Sequence, residues 1–409
     1  MSDRQERSKG ARPVAPFLFF ILFLPFGASA GFVQVTIGFL AHRAGVGDAA
    51  VAALVAMNLL PQTWKFLWAP LVDTAWRRRN WYLAANLVSS AAILAMGLLP
   101  MTGANVELLS AIIFANGLAT TLVGMSSESL MAHLVAPAER GRAAGWSQAG
   151  NVGGSLIGGI GLLIAERTSH AWLPAAVVAA ALLACSLALL LVDEPEDDVG
   201  RPTVRESLRA LAADLRALLG SRAGALAVSL SVLPIGAGGA QAIFSAAADQ
   251  WQTSADVVSF ANGVGGGLAA IGGSLLGGWL SDRMDRKFAY AVAGVAIAAV
   301  AFAMAALPKT AGVYVACVLA YSACLGICYA TFTGFVLEAI GKGAAATKYN
   351  LFASLANMPI YAMTRIDGMV SERYGRVAML LVDGGSGVLG AVLLAGVVLA
   401  LRGRRVPAA

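Results

Sequence analysis

The chain of 409 residues is 58% hydrophobic and only 13% charged, with a mean hydropathy of +0.73. That balance leaves too little polar surface for a soluble protein of this size, and apolar stretches of about 18 or more residues recur along its whole length, as bilayer-spanning helices do. The net charge of +6 sits in short connections between those stretches, which argues against a nucleic-acid partner.

The first 15 residues form a basic tail with Arg4, Arg7, Lys9 and Arg12. Phe17–Phe26 followed by Ala28-Ser29-Ala30 imitates a secretory signal, yet the apolar stretch continues to about Leu40, so an uncleaved first span is expected. Spans are predicted over 16–41, 49–73, 80–100, 106–135, 143–165, 171–192, 224–248, 256–281, 288–307, 311–338, 347–371 and 377–401. The fold class is therefore an all-α membrane protein with twelve transmembrane helices in two six-helix bundles, 16–192 and 224–401, and a second short tail at 402–409. Between the bundles, 193–223 opens with Asp193-Glu194-Pro195-Glu196-Asp197-Asp198. An amphipathic segment follows, Thr203–Leu219, with Leu208, Leu211, Leu215 and Leu218 at helical spacing. It is expected to lie on the membrane surface, with a regulatory docking site as the alternative. Loops on the side of the termini carry 22 of the 29 Lys and Arg, against five on the opposite side. The positive-inside rule then places both termini in the cytosol of a cytoplasmic (inner) membrane protein.

Two stretches repeat one design. Asp73 ends an apolar run and is followed by Arg77-Arg78-Arg79; Asp282 ends another and is followed by Arg286-Lys287. The two aspartates are 209 residues apart, close to half the chain, as in a transporter built from two related halves. Glu128 and Glu338 stand 210 residues apart, each within two to three turns of the same membrane face as the basic clusters. These residues (Asp73, Arg77, Arg78, Arg79, Glu128, Asp282, Arg286, Lys287 and Glu338) are the expected gate. The two glutamates act either as salt-bridge partners of the basic clusters or as proton carriers.

Inside the spans, Lys65 lies eight residues before Asp73, roughly 12 Å along a helix and near the middle of the hydrocarbon layer. A charge there is costly and is expected to face a polar cavity, snorkelling being the alternative. Asn58 and Gln62 precede it at helical spacing. The second intramembrane cation, Arg365, ends a stripe formed by Asn350, Asn357 and Tyr361, and suits a carboxylate gripped bidentately or a structural ion pair. Gln34, Asn58, Gln62, Lys65, Asn357, Tyr361 and Arg365 are the expected lining of a substrate cavity. Asp367, two residues beyond Arg365, points to a different face of the same helix, and a partnership with Arg365 would keep it charged.

Glycines 150, 154 and 158 in span five and 266, 273 and 277 in span eight are spaced for close helix packing. The Gly265–Gly267 run lacks the strand, lysine and serine of a phosphate loop. The four cysteines all lie in apolar runs, and the three histidines have no metal-ligand spacing. No metal, no cofactor and no enzymatic motif is expected; a polytopic membrane enzyme or sensor would show clustered reactive side chains or an added soluble domain.

The stretch Gly278-Trp279-Leu280-Ser281-Asp282-Arg283-Met284-Asp285-Arg286-Lys287 resembles the loop signature of the major facilitator superfamily, with Asp285 in place of the usual second glycine. Within it, Lys65-Phe66-Leu67-Trp68-Ala69-Pro70-Leu71-Val72-Asp73 is similar to the signature of the muropeptide permease and acetyl-CoA transporter group and of related siderophore permeases, as is the loop Pro137-Ala138-Glu139-Arg140-Gly141. In span four only the acid, Glu128, matches the muropeptide permease pattern. The resemblance implies a monomeric secondary transporter that alternates between inward- and outward-open states. It is expected to be driven by protons and to carry a medium-sized, anionic solute such as a siderophore or muropeptide. Drug efflux is the alternative.

Overall fold

A computed structural model of the chain describes residues 14–68, 72, 76–135, 140–194, 205, 206, 209, 212, 213, 216, 222–340 and 345–403. Asp73 and most of the amphipathic segment 203–219 lie outside the described residues, and at Asp282 and Glu338 the description covers the backbone alone. Every element among the described residues is helical. In chain order they are α1 (Leu18–Arg43), α2 (Asp48–Leu59), α3 (Arg78–Leu98), α4 (Val106–Leu134), α5 (Arg140–Arg167) and α6 (Leu173–Cys185, prolonged by a tight turn over Ser186–Leu191). The second half holds α7a (Arg222–Val232), α7b (Gln241–Ala247), α8 (Ala255–Leu280), α9 (Arg286–Ala306), α10 (Ala311–Ile340), α11 (Ala345–Tyr374) and α12 (Arg376–Gly403).

Nine helices among the described residues are long and apolar enough to cross a membrane. The other three expected spans depart from that rule for visible reasons. The second stops as an α-helix at Leu59 because Pro61 enters a 3-10 turn over Leu60–Thr63; a second such turn, Lys65–Leu67, follows. The seventh is broken between α7a and α7b by Pro234 and by Gly236 and Gly238, whose φ of +64° and +66° only glycine adopts without strain. The eleventh is continuous but carries a polar stripe. An unbroken helix over 49–73 or 224–248 is thus not what forms.

Small residues draw the helices together as their spacing predicts. A Cβ on Gly150, Gly154 or Gly158 of α5 would sit 2.2, 2.4 and 2.3 Å from the backbone of α1. On Gly273 and Gly277 of α8 it would sit 1.9 and 2.7 Å from the backbone of α10. Cys185, Cys317 and Cys328 are buried as packing residues and all four thiols are free.

Close crossings within the bundle join the halves. Ser259 Oγ on α8 donates to the Gly159 carbonyl on α5 at 2.8 Å. Gln34 on α1 donates through Nε2 to the Gln241 carbonyl of α7b at 3.0 Å, and Ser245 Oγ returns a bond to the Gln34 carbonyl at 2.8 Å. Gly368 of α11 lies so close to α2 that its Cβ would meet that of Ala52 at 2.2 Å. Finally, Asn357 Nδ2 on α11 reaches the Gln62 carbonyl at 3.5 Å.

Candidate functional site

Lys65 stands where the second span has unwound, and it is only 8% exposed. Neither Lys65 nor Arg365 has an ion pair or a hydrogen bond among the described residues, although a buried charge is costly unless paired or wet. The side-chain oxygen of Gln62 is likewise buried and unpartnered. Gln62 and Asn357 lie at one level across the two halves. From that level Lys65 is three residues toward one end of the bundle and Arg365 eight residues toward the other. At ~1.5–2 Å per residue the two cations are roughly 15–20 Å apart along the bundle axis. Beside Lys65 the rings of Trp64 and Trp68 pack edge to face at 5.4 Å, Trp68 Nε1 donates to Thr121 Oγ1, and Trp64 remains over a third exposed.

Asn58 is placed elsewhere. Its Oδ1 accepts from Asn116 Nδ2 at 3.1 Å, inside a buried network with Ser29 and Ser89 that ties α1, α2, α3 and α4. The helical spacing that put Asn58 on the face of Lys65 fails because α2 ends between them. Gln34 serves the α1–α7b crossing described above, and Tyr361 is half-buried on α11. Asp367 does not partner Arg365; it is fully buried on another face of α11 and meets Asp383 of α12.

The end of the bundle bearing the connections 44–47, 248–254 and 375, here the far end, is closed by an ionic lock that the sequence did not announce. Arg376 is 7% exposed at the start of α12. Its Nε donates to Asp48 Oδ2 at 3.1 Å, its Nη1 to Asp249 and to the Ala247 carbonyl at 3.3 Å, and its Nη2 to the Ala246 carbonyl at 3.3 Å. Ser371 Oγ also donates to Asp48, and His42 Nδ1 lies 3.3 Å from Asp48 Oδ1. Glu372 accepts the Ala49 amide at 3.1 Å, and the more exposed pair Arg167–Asp256 spans the halves at 2.9 Å. One guanidinium thus holds α2 of the first half to α7b of the second. The only advance signal was that acids and bases, scarce on that side, stand next to the span ends.

At the near end, the basic clusters act first on helix ends. The amides of Arg78 and Arg79 donate to Glu194 at 3.0 and 3.1 Å, so this carboxylate caps α3 from the end of α6. The amides of Lys287 and Phe288 donate to Asp285 at 3.0 and 3.1 Å, capping α9. The capped positions are 209 residues apart, the offset of the sequence repeat. The Arg78 guanidinium takes Ser129 Oγ at 2.7 Å, next to Glu128, whose own Oε2 is buried without a hydrogen bond. The described residues give Glu128 no ion pair with Arg77, Arg78 or Arg79. Arg77 and Arg286 have partners of their own.

Two helical halves, broken spans at their interface and a lock across one end define a membrane carrier. The sequence profile of the Major Facilitator Superfamily matches residues 17–363, and the chain belongs to that family. It is 27% identical over 345 residues to the anhydromuropeptide permease of Escherichia coli K12, covering 81% of this chain and 69% of that protein. The same figures hold for the permease of Escherichia coli O157:H7. Among solved structures, the D-xylose-proton symporter superposes with a TM-score of 0.73 at 15% identity, over 96% of this chain and 99% of the other. The nucleoside transporter NupG does so with 0.72 at 12% identity, over 93% and 98%. The protein is a permease and not an enzyme.

Proposed function

We propose that the protein is a proton-coupled carrier of a medium-sized anionic solute of the anhydromuropeptide class, working as a monomer in the cytoplasmic membrane. The observation that carries this is a pair of cations, Lys65 and Arg365, on opposite halves and without an ion pair or hydrogen bond among the described residues. Their spacing suits an elongated sugar–peptide with separated carboxylates better than a compact anion. The exposed Trp64 beside Lys65 offers a ring face for the sugar. The likeness to the anhydromuropeptide permeases supports the same class and gives no support to a siderophore. The excess of Lys and Arg in the near-end loops supports a cytosolic near end, with the lock facing outside. The near-end residues Asp73, Arg77, Glu128, Asp282, Arg286, Lys287 and Glu338 then form the opposing gate.

The test is uptake of labelled anhydromuropeptide into proteoliposomes under an inward proton gradient. Wild-type protein should accumulate the label, and Lys65→Ala should abolish accumulation while reconstituting normally. Wild-type liposomes that take up no label above empty controls would overturn the choice of solute.

A further inference from the structure

The break in the seventh span, residues 233–240, is filled from the side by two acids. Asp367 of α11 is fully buried and Asp383 of α12 is 5% exposed. Asp383 is well served with donors: Tyr321 of α10 gives its hydroxyl to Oδ2 at 2.6 Å, and the Ala240 amide reaches Oδ1 at 3.3 Å. Asp367 has none. Neither of its oxygens meets an N–H or O–H donor among the described residues, and the break brings it beside Asp383, since Gly239 presses on Asp367 Oδ2 and the next residue, Ala240, donates to Asp383 Oδ1. Two carboxylates can only accept, so a bond between them requires a proton on one of them. Asp383, with its two donors, is the better acceptor, which leaves Asp367 as the carboxyl placed to carry a shared proton.

Gly239 presses against the pair so closely that a Cβ there would lie 2.4 Å from Asp367 Oδ2. No cation among the described residues comes within ion-pairing distance. The ionisable groups of the packed α10 include Tyr321, the thiols of Cys324 and Cys328, the latter against Gly236, and, two turns beyond Tyr321, Tyr329. Against α11, α2 presents Ala49 and Ala52, with Asp48 committed to Arg376; against α12, α9 presents Ala298 and Phe302.

The pair also touches the moving part. Ala240, which donates to Asp383, immediately precedes α7b. Phe244 of α7b packs on the Tyr321 ring at 5.0 Å. The carbonyls of Ala246 and Ala247, at the other end of α7b, bind Arg376 in the lock.

We propose that Asp367 and Asp383 together hold one exchangeable proton at the break in the seventh span, and that this is the proton coupled to transport. It rests on the reading of the protein as a proton-coupled carrier. When the far end opens, α7b swings away, the Ala240 amide leaves Asp383, and the pair takes a proton from that side, passing from two negative charges to one. When the far end closes, the amide returns to Asp383 with the proton still held by the pair, the arrangement of this structure, and the proton leaves as a hydrated proton once the near end opens.

Infrared spectroscopy of the purified wild-type protein at neutral pH tests occupancy without transport. A protonated-carboxyl band that shifts in D2O is expected, and it should vanish in Asp367→Asn, where the amide can donate to Asp383 in the proton's place. In proteoliposomes, Asp367→Asn should retain solute counterflow and lose gradient-driven accumulation, and Asp383→Asn should lose accumulation as well. Replacing sodium by choline should leave the wild type unaffected. A band absent from the wild type, or surviving in both variants, would overturn the site. So would proton-driven accumulation by Asp367→Asn, or a wild type that stops without sodium. Wild-type protein that shows the band but carries no anhydromuropeptide would sink the proposed solute and leave the acid pair standing.

Discussion

Lys65 decides most at the scale of single residues. Removing it deletes a buried charge together with the group expected to meet the solute, so stability and transport should move in opposite directions. Lys65→Ala should raise or leave unchanged the melting temperature in detergent, because an unpartnered buried cation costs several kcal/mol. Uptake should fall by about two orders of magnitude, the loss expected when a charged ligand contact of ~3 kcal/mol disappears. A variant that melts lower and still transports would mark Lys65 as structural. Both intramembrane cations were legible in the sequence because a charge in an apolar run stands out locally. Asp383 was equally visible in principle, an acid inside the apolar run of α12, but its meaning depends on Asp367, Tyr321 and the break in span seven. The same holds for Arg376, which reads as one more loop cation until Asp48 and Asp249 are brought to it from separate connections.

Among the elements, periodicity predicted most helices well and failed where the backbone stops being helical. Pro61, Pro234, Gly236 and Gly238 were in plain view, yet prolines and glycines are tolerated in membrane helices elsewhere in this chain, as Pro25 and Pro359 are. Which of them break a helix depends on what waits to satisfy the freed amides, and at Ala240 that is Asp383. Gly238 has φ of +66°, and a Cβ there would lie 2.7 Å from the Leu325 side chain. Gly238→Ala should therefore destabilise the protein by about 1–3 kcal/mol. A melting temperature equal to wild type would contradict the assigned backbone. The departure from the family loop signature also has a physical account at this scale. Asp285 supplies its own cap to α9, while the matching amides of α3 depend on Glu194. Asp285→Ala should cost about 1 kcal/mol, and Glu194→Ala more, since it also strips Arg78 of a partner that is 2% exposed. Equal melting temperatures for the two variants would argue against this ranking.

For the whole molecule, the lock at the far end is expected to set which side is open. Arg376 contacts both α2 and the α7b segment, and truncating one member of such a buried, hydrogen-bonded charge cluster costs about 3–5 kcal/mol. Moving a two-state equilibrium from 1:99 to 99:1 takes about 5.5 kcal/mol, so loss of the lock is of the size needed to change the resting state. Arg376→Ala should populate a form open at the far end. Spin labels on Gly45 and Gln250, in a background with the four cysteines replaced, should report a longer distance component that is minor in the wild type. Asp48→Asn should produce the same component more weakly, because the asparagine carbonyl can still accept from Ser371 and the Ala49 amide still holds Glu372 of α11. The double variant should add little to Arg376→Ala alone, as expected for partners in one cluster. Uptake should fall in both, since a carrier held open on one side completes no cycle, whereas solute binding measured in detergent should persist because Lys65 and Arg365 are untouched. Unchanged distance distributions in both single variants would assign the cluster to stability and leave the switch between open states to the near end.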